Sequence, residues 1–170
     1  MSGVSRLWVL EVRRWVGVSE HYDTYKAKWR DQPQTTRWLR RMARGDSSLA
    51  FPQGQQSFGD LGADVDRSVS PDLLADIERP PFKPRSFDTV YCDPPYSMCA
   101  YDKIHSWLPS VWEITDKRLI VTMPAIDYNL NDAEYELYYE HNGTATCHLP
   151  LFHVWDRKSR KLSDFGGGLE

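Results

Sequence analysis

Residues 87–96 decide the fold, with the sequence Phe-Asp-Thr-Val-Tyr-Cys-Asp-Pro-Pro-Tyr. The first six of these residues form an apolar run that ends at a turn signal, which predicts a buried strand from Phe87 to Cys92. The two prolines end that strand, because proline fixes its own φ, lacks an N–H and restricts the residue before it. The sequence therefore holds an acid, Asp93, and an aromatic ring, Tyr96, on a stiff turn. In open α/β sheets, ligands bind at the carboxyl ends of the strands.

The composition of the 170-residue chain predicts one folded domain with a sizeable core, since 41% of the residues are hydrophobic and 13% are aromatic. No stretch is long and apolar enough to span a membrane, and the first residues lack the pattern of a signal peptide. We therefore expect a cytoplasmic protein without a membrane partner. The cysteines (Cys92, Cys99 and Cys147) suit a reducing compartment and lack the spacing of a zinc site, so we expect no metal.

The net charge of −3 is unevenly distributed along the chain. Residues 1–45 contain ten Lys or Arg against four Asp or Glu, a balance of +6, and four tryptophans lie among them. Cations suit phosphates and rings suit bases, so this composition favours a nucleic-acid partner. The cations expected to contact nucleic acid are Arg40, Arg41 and Arg44. The alternative is an amphipathic helical pair whose tryptophans are core and whose arginines are solvated.

The spacing of apolar residues predicts an alternation of helices and strands. Helices are expected at residues 6–16, 22–30, 36–44 and 104–114. Strands are expected at residues 48–51, 61–65, 73–77, 87–92 and 118–123, followed by a closing hairpin of residues 134–139 and 144–155. The expected domains are a basic helical segment at 1–45 that packs on the rest, an α/β domain at 46–157 and a flexible tail at 158–170.

The turn Asp93-Pro94-Pro95-Tyr96 resembles the D-P-P-Y signature of amino-methyltransferases, and the resemblance covers residues 47–156. These enzymes move a methyl group from S-adenosyl-L-methionine to an exocyclic amine, most often N6 of adenine in DNA. The resemblance implies a minimal, Rossmann-like class I methyltransferase fold: α/β, with N-terminal helices and a mostly parallel sheet that ends in an antiparallel hairpin. It implies that all four residues of the turn are catalytic.

The chemistry explains why the turn needs these residue types. The lone pair of an exocyclic amine is delocalised into the ring, so the amine is a poor nucleophile. The Asp93 carboxylate and the Pro94 carbonyl would accept its two hydrogens and localise the lone pair. Tyr96 would stack on a base taken out of its helix. Ser97 and Tyr101 follow closely in the chain and would line the same pocket.

The resemblance also implies a cofactor site built from acids at earlier strand ends. Asp64, with Asp66 as a second candidate, would accept hydrogen bonds from the ribose hydroxyls. Asp76 would accept one from the adenine amino group, and Asp93 would border the cofactor as well. Each acid alone is also compatible with a simple strand-end cap. Their order before the D-P-P-Y turn, however, matches the order in the family.

The first cofactor motif departs from the family, which usually has a G-x-G-x-G turn after its first strand. Here the corresponding residues are 51–57, and only Gly54 keeps a glycine position. Phe51 and Gly54 are the expected cofactor-binding residues of this loop. The polar residues Gln53, Gln55 and Ser57 either bind the methionine part of the cofactor or simply form a polar loop.

The connections at residues 51–63 and 66–73 are too short for the usual crossover helices. We expect the N-terminal helices or a second subunit, in a homodimer or with a partner chain, to cover the exposed sheet face.

Three alternatives to a DNA adenine-N6 methyltransferase remain. Some ribosomal RNA guanine-N2 methyltransferases also carry D-P-P-Y. Glutamine methylation in proteins is disfavoured, because that family prefers Asn at the first position of the motif. A catalytically silent nucleic-acid binder or regulatory subunit is favoured by the reduced glycine motif and opposed by the intact acids.

Overall fold

A computed structural model describes residues 7–10, 33–53, 58–124, 128–140 and 151–158 of the chain. These residues form strands and helices, joined in places by short 3-10 turns at Arg67–Val69 and Tyr96–Met98. In chain order the elements are β1 (Leu7–Leu10), α1 (Pro33–Met42), β2 (Ser48–Ala50), β3 (Leu61–Asp64), β4 (Leu73–Leu74), β5 (Phe87–Cys92), α2 (Tyr101–Ile114), β6 (Thr115–Thr122), β7 (Ala133–Glu140) and β8 (Leu151–Arg157).

The strands form one sheet in the order β1-β7-β8-β6-β5-β2-β3-β4. The run from β4 to β6 is parallel throughout, whereas β8 is antiparallel to both of its neighbours, β6 and β7. The predicted α/β class and the mostly parallel sheet with an antiparallel end are therefore confirmed. The residues at the tip of the expected hairpin lie outside the described part of the chain.

The five parallel strands follow the order of a Rossmann-like sheet. Counted from β2, the order from β4 to β6 is 3-2-1-4-5, which is the order of dinucleotide-binding folds. From β2 the chain adds β3 and β4 on one side, and β5 and β6 then follow on the other side of β2. The strand order therefore reverses between β2 and β5, which are hydrogen-bonded neighbours. Ligands of such sheets bind in the crevice at this switch point, outside the carboxyl ends of the strands.

Two of the expected elements differ from the structure. The helix expected at 6–16 is wrong at Leu7–Leu10, which form β1 and pair in parallel with Leu137–Glu140 of β7. A tertiary pairing partner therefore overrides the local spacing. The strand expected at 73–77 is limited to Leu73–Leu74, because the chain turns at Asp76, which accepts the backbone N–H of Glu78. The helix expected at 22–30 lies outside the described residues.

Each face of the sheet carries its own apolar cluster. On one face α2 packs its buried residues, such as Trp107, Leu108 and Val111, against Val90 and Leu119 of β5 and β6. On the other face Trp38 and Leu39 of α1 pack against Tyr91, Ile120 and Phe152. Trp38 is only 6% exposed, so this tryptophan belongs to the core.

Helix α1 covers the face that the short connections leave without crossover helices. Among the described residues, the only helical turn between β2 and β5 is the 3-10 turn Arg67–Val69. Helix α1, which the sequence predicts at 36–44, packs on this face against Ala50, Tyr91 and Ile120. The helix is followed by Gly45 at φ 75°, a conformation that only glycine adopts without strain.

A buried arginine fixes the end of α1 to the sheet. The side chain of Arg118 is 4% exposed and makes two hydrogen bonds to Asp156, of 2.6 and 2.5 Å. Its Nη1 also donates to the Met42 carbonyl at the last turn of α1, at 2.8 Å. One guanidinium therefore joins β6, β8 and α1.

No helix among the described residues is long and apolar enough to cross a membrane.

Candidate functional site

The carboxyl ends of β2, β3 and β5 meet at one edge of the sheet. Ala50 is in register with Gly62 on one side and with Tyr91 on the other. Asp64 and Asp93 each lie two residues beyond that level, so they stand level with one another across β2. With strands about 4.8 Å apart, their backbones are separated by about 10 Å. The structure therefore brings these two predicted site residues to opposite sides of the switch point.

The D-P-P-Y turn is anchored to α2 directly after β5. Asp93 is partly exposed, Pro94 is buried and Pro95 is exposed. The Pro95 carbonyl accepts the Met98 N–H at 2.8 Å, which closes the 3-10 turn, and the Met98 carbonyl accepts the Trp107 indole N–H at 3.0 Å. The turn is therefore held by a buried helix residue. Ser97 is exposed on the same turn, whereas the side chains of Tyr96 and Tyr101 lie outside the described part.

The described donor at the Pro94 carbonyl is a weak one. The thiol of Cys99 lies 3.9 Å from the Pro94 oxygen and 3.7 Å from the Pro95 oxygen. A thiol is a weak hydrogen-bond donor. Within the part of the chain that the structure describes, the Pro94 oxygen thus retains acceptor capacity for a stronger donor such as an amine.

The cysteines beside the turn are neutral at physiological pH. Burial raises the pKa of Cys99 to about 11, and the negative charge of Asp93 adds to this effect. The same two causes raise the pKa of Cys92 well above its ordinary value. The thiolate is the nucleophilic form of cysteine. Cys92 and Cys99 are therefore structural residues of the turn, not nucleophiles.

Asp64 and Asp66 follow β3 in different environments. Asp64 is 6% exposed, and its Oδ1 accepts the Asp66 N–H at 2.9 Å. Asp66 is exposed and accepts the Ser68 N–H at 2.8 Å, which begins the 3-10 turn Arg67–Val69. That backbone hydrogen bond, helped by the Ser68 side chain, lowers the pKa of Asp66. Both acids lie at the predicted edge, with Asp64 forming part of its wall and Asp66 facing water.

Asp76 lies farther along the same edge. Asp64 is in register with Leu74, so Asp76 extends two residues beyond that level, past the last strand of the parallel set. It is exposed, and its Oδ1 accepts the Glu78 N–H at 3.0 Å. The three acids therefore spread across the edge in the order Asp93, Asp64, Asp76. A ligand that reached all of them would be elongated.

The loop after β2 has a buried ring and a polar side chain. The Phe51 ring is 0% exposed and packs edge-on against Phe82, so only the Phe51 backbone lies at the edge. Gln53 is held in place by its N–H, which donates to the Ala63 carbonyl at 2.7 Å. Gly54, Gln55 and Ser57 lie outside the described residues.

Exposed apolar side chains border the acids, a feature that the sequence pattern did not predict. Val65 is 67% exposed, Leu73 37% and Leu74 46%. Val65 directly follows Asp64, and the two leucines form β4 beside it. In the sequence, this surface is indicated by apolar residues that stand next to the acids at the strand ends. They give this edge a surface suited to a flat apolar ring.

A buried histidine fixes the chain beyond β6, next to the same edge. The Nδ1 of His153 lies 2.7 Å from the Tyr135 hydroxyl, and its Nε2 lies 3.1 Å from the Pro124 carbonyl. Because the carbonyl can only accept, Nε2 carries the proton and the Tyr135 hydroxyl donates to Nδ1. Burial lowers the pKa of His153 to about 4. The ring is thus neutral, and it holds Pro124 to the sheet.

The neutral His153 predicts a specific dependence of stability on pH. The unfolded chain binds a proton to this residue below about pH 6.5, but the folded chain binds it only below about pH 4. The contribution of His153 is therefore complete above pH 6.5 and is lost as the pH falls towards 4, by about 3 kcal/mol in total. Denaturant unfolding at several pH values should show a flatter profile for His153→Gln than for the wild type. Parallel profiles would contradict this assignment.

The basic patch does not lie beside the turn. Arg40, Arg41 and Arg44 are exposed, but the Arg44 N–H donates to the Thr89 hydroxyl at 2.7 Å. Thr89 precedes Asp93 by four residues, which is about 13 Å along a strand. Helix α1 therefore runs away from the carboxyl edge, and its last cations lie towards the opposite end of the sheet. These cations therefore lie away from the turn.

Comparison with known protein families and with curated proteins finds no match to this chain. The function of the site is therefore inferred from the residues of this chain alone. Asp64, Asp66, Asp76 and Asp93 lie along one edge of the sheet with the Phe51 backbone and the D-P-P-Y turn. The arginines of α1 lie elsewhere. Among the described residues, no group of His, Cys, Asp or Glu side chains is arranged to hold a metal ion.

Proposed function

We propose that the protein is an S-adenosylmethionine-dependent methyltransferase that acts on an exocyclic base amine, most directly N6 of adenine in DNA. The observation that carries the proposal is the position of the D-P-P-Y turn. It directly follows β5, at the switch point of a 3-2-1-4-5 sheet, where ligands of such folds bind. This position supports a role for the Asp93 carboxylate and the Pro94 carbonyl at a site shared by a cofactor and a target base.

The end of the sheet also supports a class I methyltransferase fold. The last strand, β8, is antiparallel and lies between β6 and β7 instead of at the edge. A mostly parallel sheet with an antiparallel end is what the resemblance of the D-P-P-Y turn implies. The small number of helices and the short connections make this a reduced form of that fold.

The residues at the edge fit the chemistry of the proposed cofactor, which supplies an activated methyl group when bound. The Asp64 carboxylate suits ribose hydroxyls, and Asp76 suits an amino group of a purine. Val65 and the leucines of β4 offer an apolar surface for the adenine ring. A shielded acceptor, Oε1 of Gln53, lies beside Asp64 without a hydrogen-bond partner among the described residues. These features leave hydrogen-bonding capacity that a nucleoside would use.

The turn performs the chemistry by positioning the target amine. The Asp93 carboxylate and the Pro94 carbonyl accept its two N–H groups, which localises the nitrogen lone pair towards the methyl carbon. A cofactor bound beside the turn would supply its methyl group to this nitrogen, and its sulfur would keep the electron pair of the broken S–C bond. One N–H proton then leaves through the Asp93 carboxylate to water. Positioning supplies much of the rate, because the methyl donor is already reactive.

The cysteines of the turn take no part in this transfer, since their raised pKa values keep them protonated. The arginines of α1 would contact phosphates that flank the target, at a distance from the turn. Salt should therefore weaken nucleic-acid binding steeply.

Two other functions have support from specific observations. The D-P-P-Y turn also occurs in some ribosomal RNA guanine-N2 methyltransferases, which leaves ribosomal RNA and guanine N2 as an alternative substrate. The loop after β2 keeps one glycine of the usual motif, which favours a silent nucleic-acid-binding or regulatory subunit. Cofactor binding separates the second alternative from both enzymes.

The proposal predicts that S-adenosylmethionine binds through Asp64. Calorimetry should detect binding by the wild type and a loss of about 1.5–3 kcal/mol in Asp64→Ala, as for a hydrogen bond to a charged group. Asp60→Ala is the matched control, because Asp60 lies just before β3, at the opposite end of the same strand, and bonds Ser48. Absence of binding to the folded wild type at millimolar cofactor would exclude the enzyme.

A further inference from the structure

The side chain of Gln53 lies across β3 beside Asp64. A Cβ atom on Gly62 would overlap the amide of Gln53, so Gly62 leaves the space that this amide occupies. Alternate residues of a strand face the same side of the sheet. The Gln53 amide therefore lies on the same side of β3 as Asp64, one alternation earlier along the strand.

The side-chain amide of Gln53 is oriented so that Oε1 has no hydrogen-bond partner among the described residues. Nε2 donates to the Val69 carbonyl at 3.5 Å, whereas the opposite orientation would set two acceptor oxygens against each other. Oε1 is shielded from solvent and has no hydrogen-bond partner among the described residues. A shielded acceptor without a partner destabilises a folded chain. Gln53 as a residue is partly exposed, although its Oε1 atom is shielded.

We propose that Oε1 of Gln53 accepts a hydrogen bond from a ribose hydroxyl of the adenosyl ligand; this inference rests on the proposed function. The partner must be a donor, which excludes the carboxylate of the methionine part. A vicinal diol presents two donors on adjacent carbons. The Asp64 carboxylate and the Gln53 amide oxygen provide acceptors for both on one side of β3. The ligand thereby satisfies an acceptor that has no partner among the described residues.

Gln53→Met tests this contact, because methionine matches glutamine in length but lacks the acceptor. The probes are S-adenosylhomocysteine and 5′-methylthioadenosine, both of which carry the ribose; only the first carries the ammonium group. We expect the affinity for both to fall about three- to tenfold, as for one lost hydrogen bond. The unfolding temperature of the free protein should stay the same or rise, because the variant removes the unpaired acceptor.

Gly62→Ala tests the same contact without changing Gln53. The added methyl group displaces the amide, so both probes should again bind more weakly. In a Gln53→Ala background, Gly62→Ala should cause little further loss, since the amide is already absent. Full additivity of the two losses would show that Gly62 does not act through Gln53 and would overturn the assignment.

The outcomes separate this inference from the proposed function. If the wild type binds neither probe, both proposals fail together. If the wild type binds but Gln53→Met binds equally well, only the Gln53 contact is overturned. A loss for S-adenosylhomocysteine alone would identify the ammonium group as the partner and overturn the ribose assignment. A lower unfolding temperature with a matching loss of affinity would assign Gln53 a purely structural role.

Discussion

Asp93→Ala is expected to reduce methyl transfer by about 10²–10³-fold, as for removal of one group that stabilises the transition state. The affinity for S-adenosylmethionine should change little, because Asp64 lies on the other side of β2, about 10 Å away. The assay is transfer of a labelled methyl group to unmodified DNA, with ribosomal RNA in parallel, followed by nucleoside analysis. Label on adenine N6 supports the leading substrate, whereas label on guanine N2 identifies the RNA alternative.

Two further variants separate catalysis from folding in this experiment. Asp93→Asn keeps the size of the side chain and one acceptor oxygen, so it should retain partial activity. Asp102→Ala is the control: Asp102 is exposed in the first turn of α2, and it lies outside the strand ends. Its activity should equal that of the wild type. Transfer by Asp93→Ala at the wild-type rate would show that the turn has no catalytic role.

The parallel part of the fold follows from local patterns in the sequence. The strand Phe87–Cys92 was predicted at its observed bounds, because it is buried and bounded by prolines. The strand β1 was not predicted, because Leu7–Leu10 is an edge strand whose partner, Leu137–Glu140, lies far along the chain. Local spacing cannot show such a pairing. It also cannot show that β8 enters the sheet between β6 and β7.

The acids of the site were predictable, but their environments were not. Their positions after apolar runs place Asp64 and Asp93 at strand ends. The burial of Asp64, the core position of the Phe51 ring and the remote position of Arg44 depend on how the strands align. The contact of Tyr135 with His153 likewise requires the register of β7 and β8. Sequence therefore identified which residues reach the edge, and the packing decides what each one does there.

Arg118→Met is expected to lower the free energy of unfolding by an amount near the lower end of about 3–5 kcal/mol, the usual cost of breaking a buried ion pair. The variant leaves the Asp156 carboxylate and the Met42 carbonyl without their guanidinium donor. Asp156 is 33% exposed, so water recovers part of the loss. Chemical denaturation measures the change. Arg85→Met is the control, since the Arg85–Asp116 pair is 3.8 Å apart with side chains 42% and 36% exposed. It should lose at most about 1 kcal/mol.

A double variant distinguishes the unpaired charge from the general loss of packing. Arg118→Met with Asp156→Leu removes both charges, so most of the lost stability should return, because a hydrophobic pair can replace a buried ion pair. The Met42 carbonyl stays without its donor in both variants, and that part of the loss should remain. If the double variant is as unstable as the single one, the tie to α1 matters more than the ion pair. In that case Arg118 acts mainly by holding α1 over the sheet face that the short connections leave open.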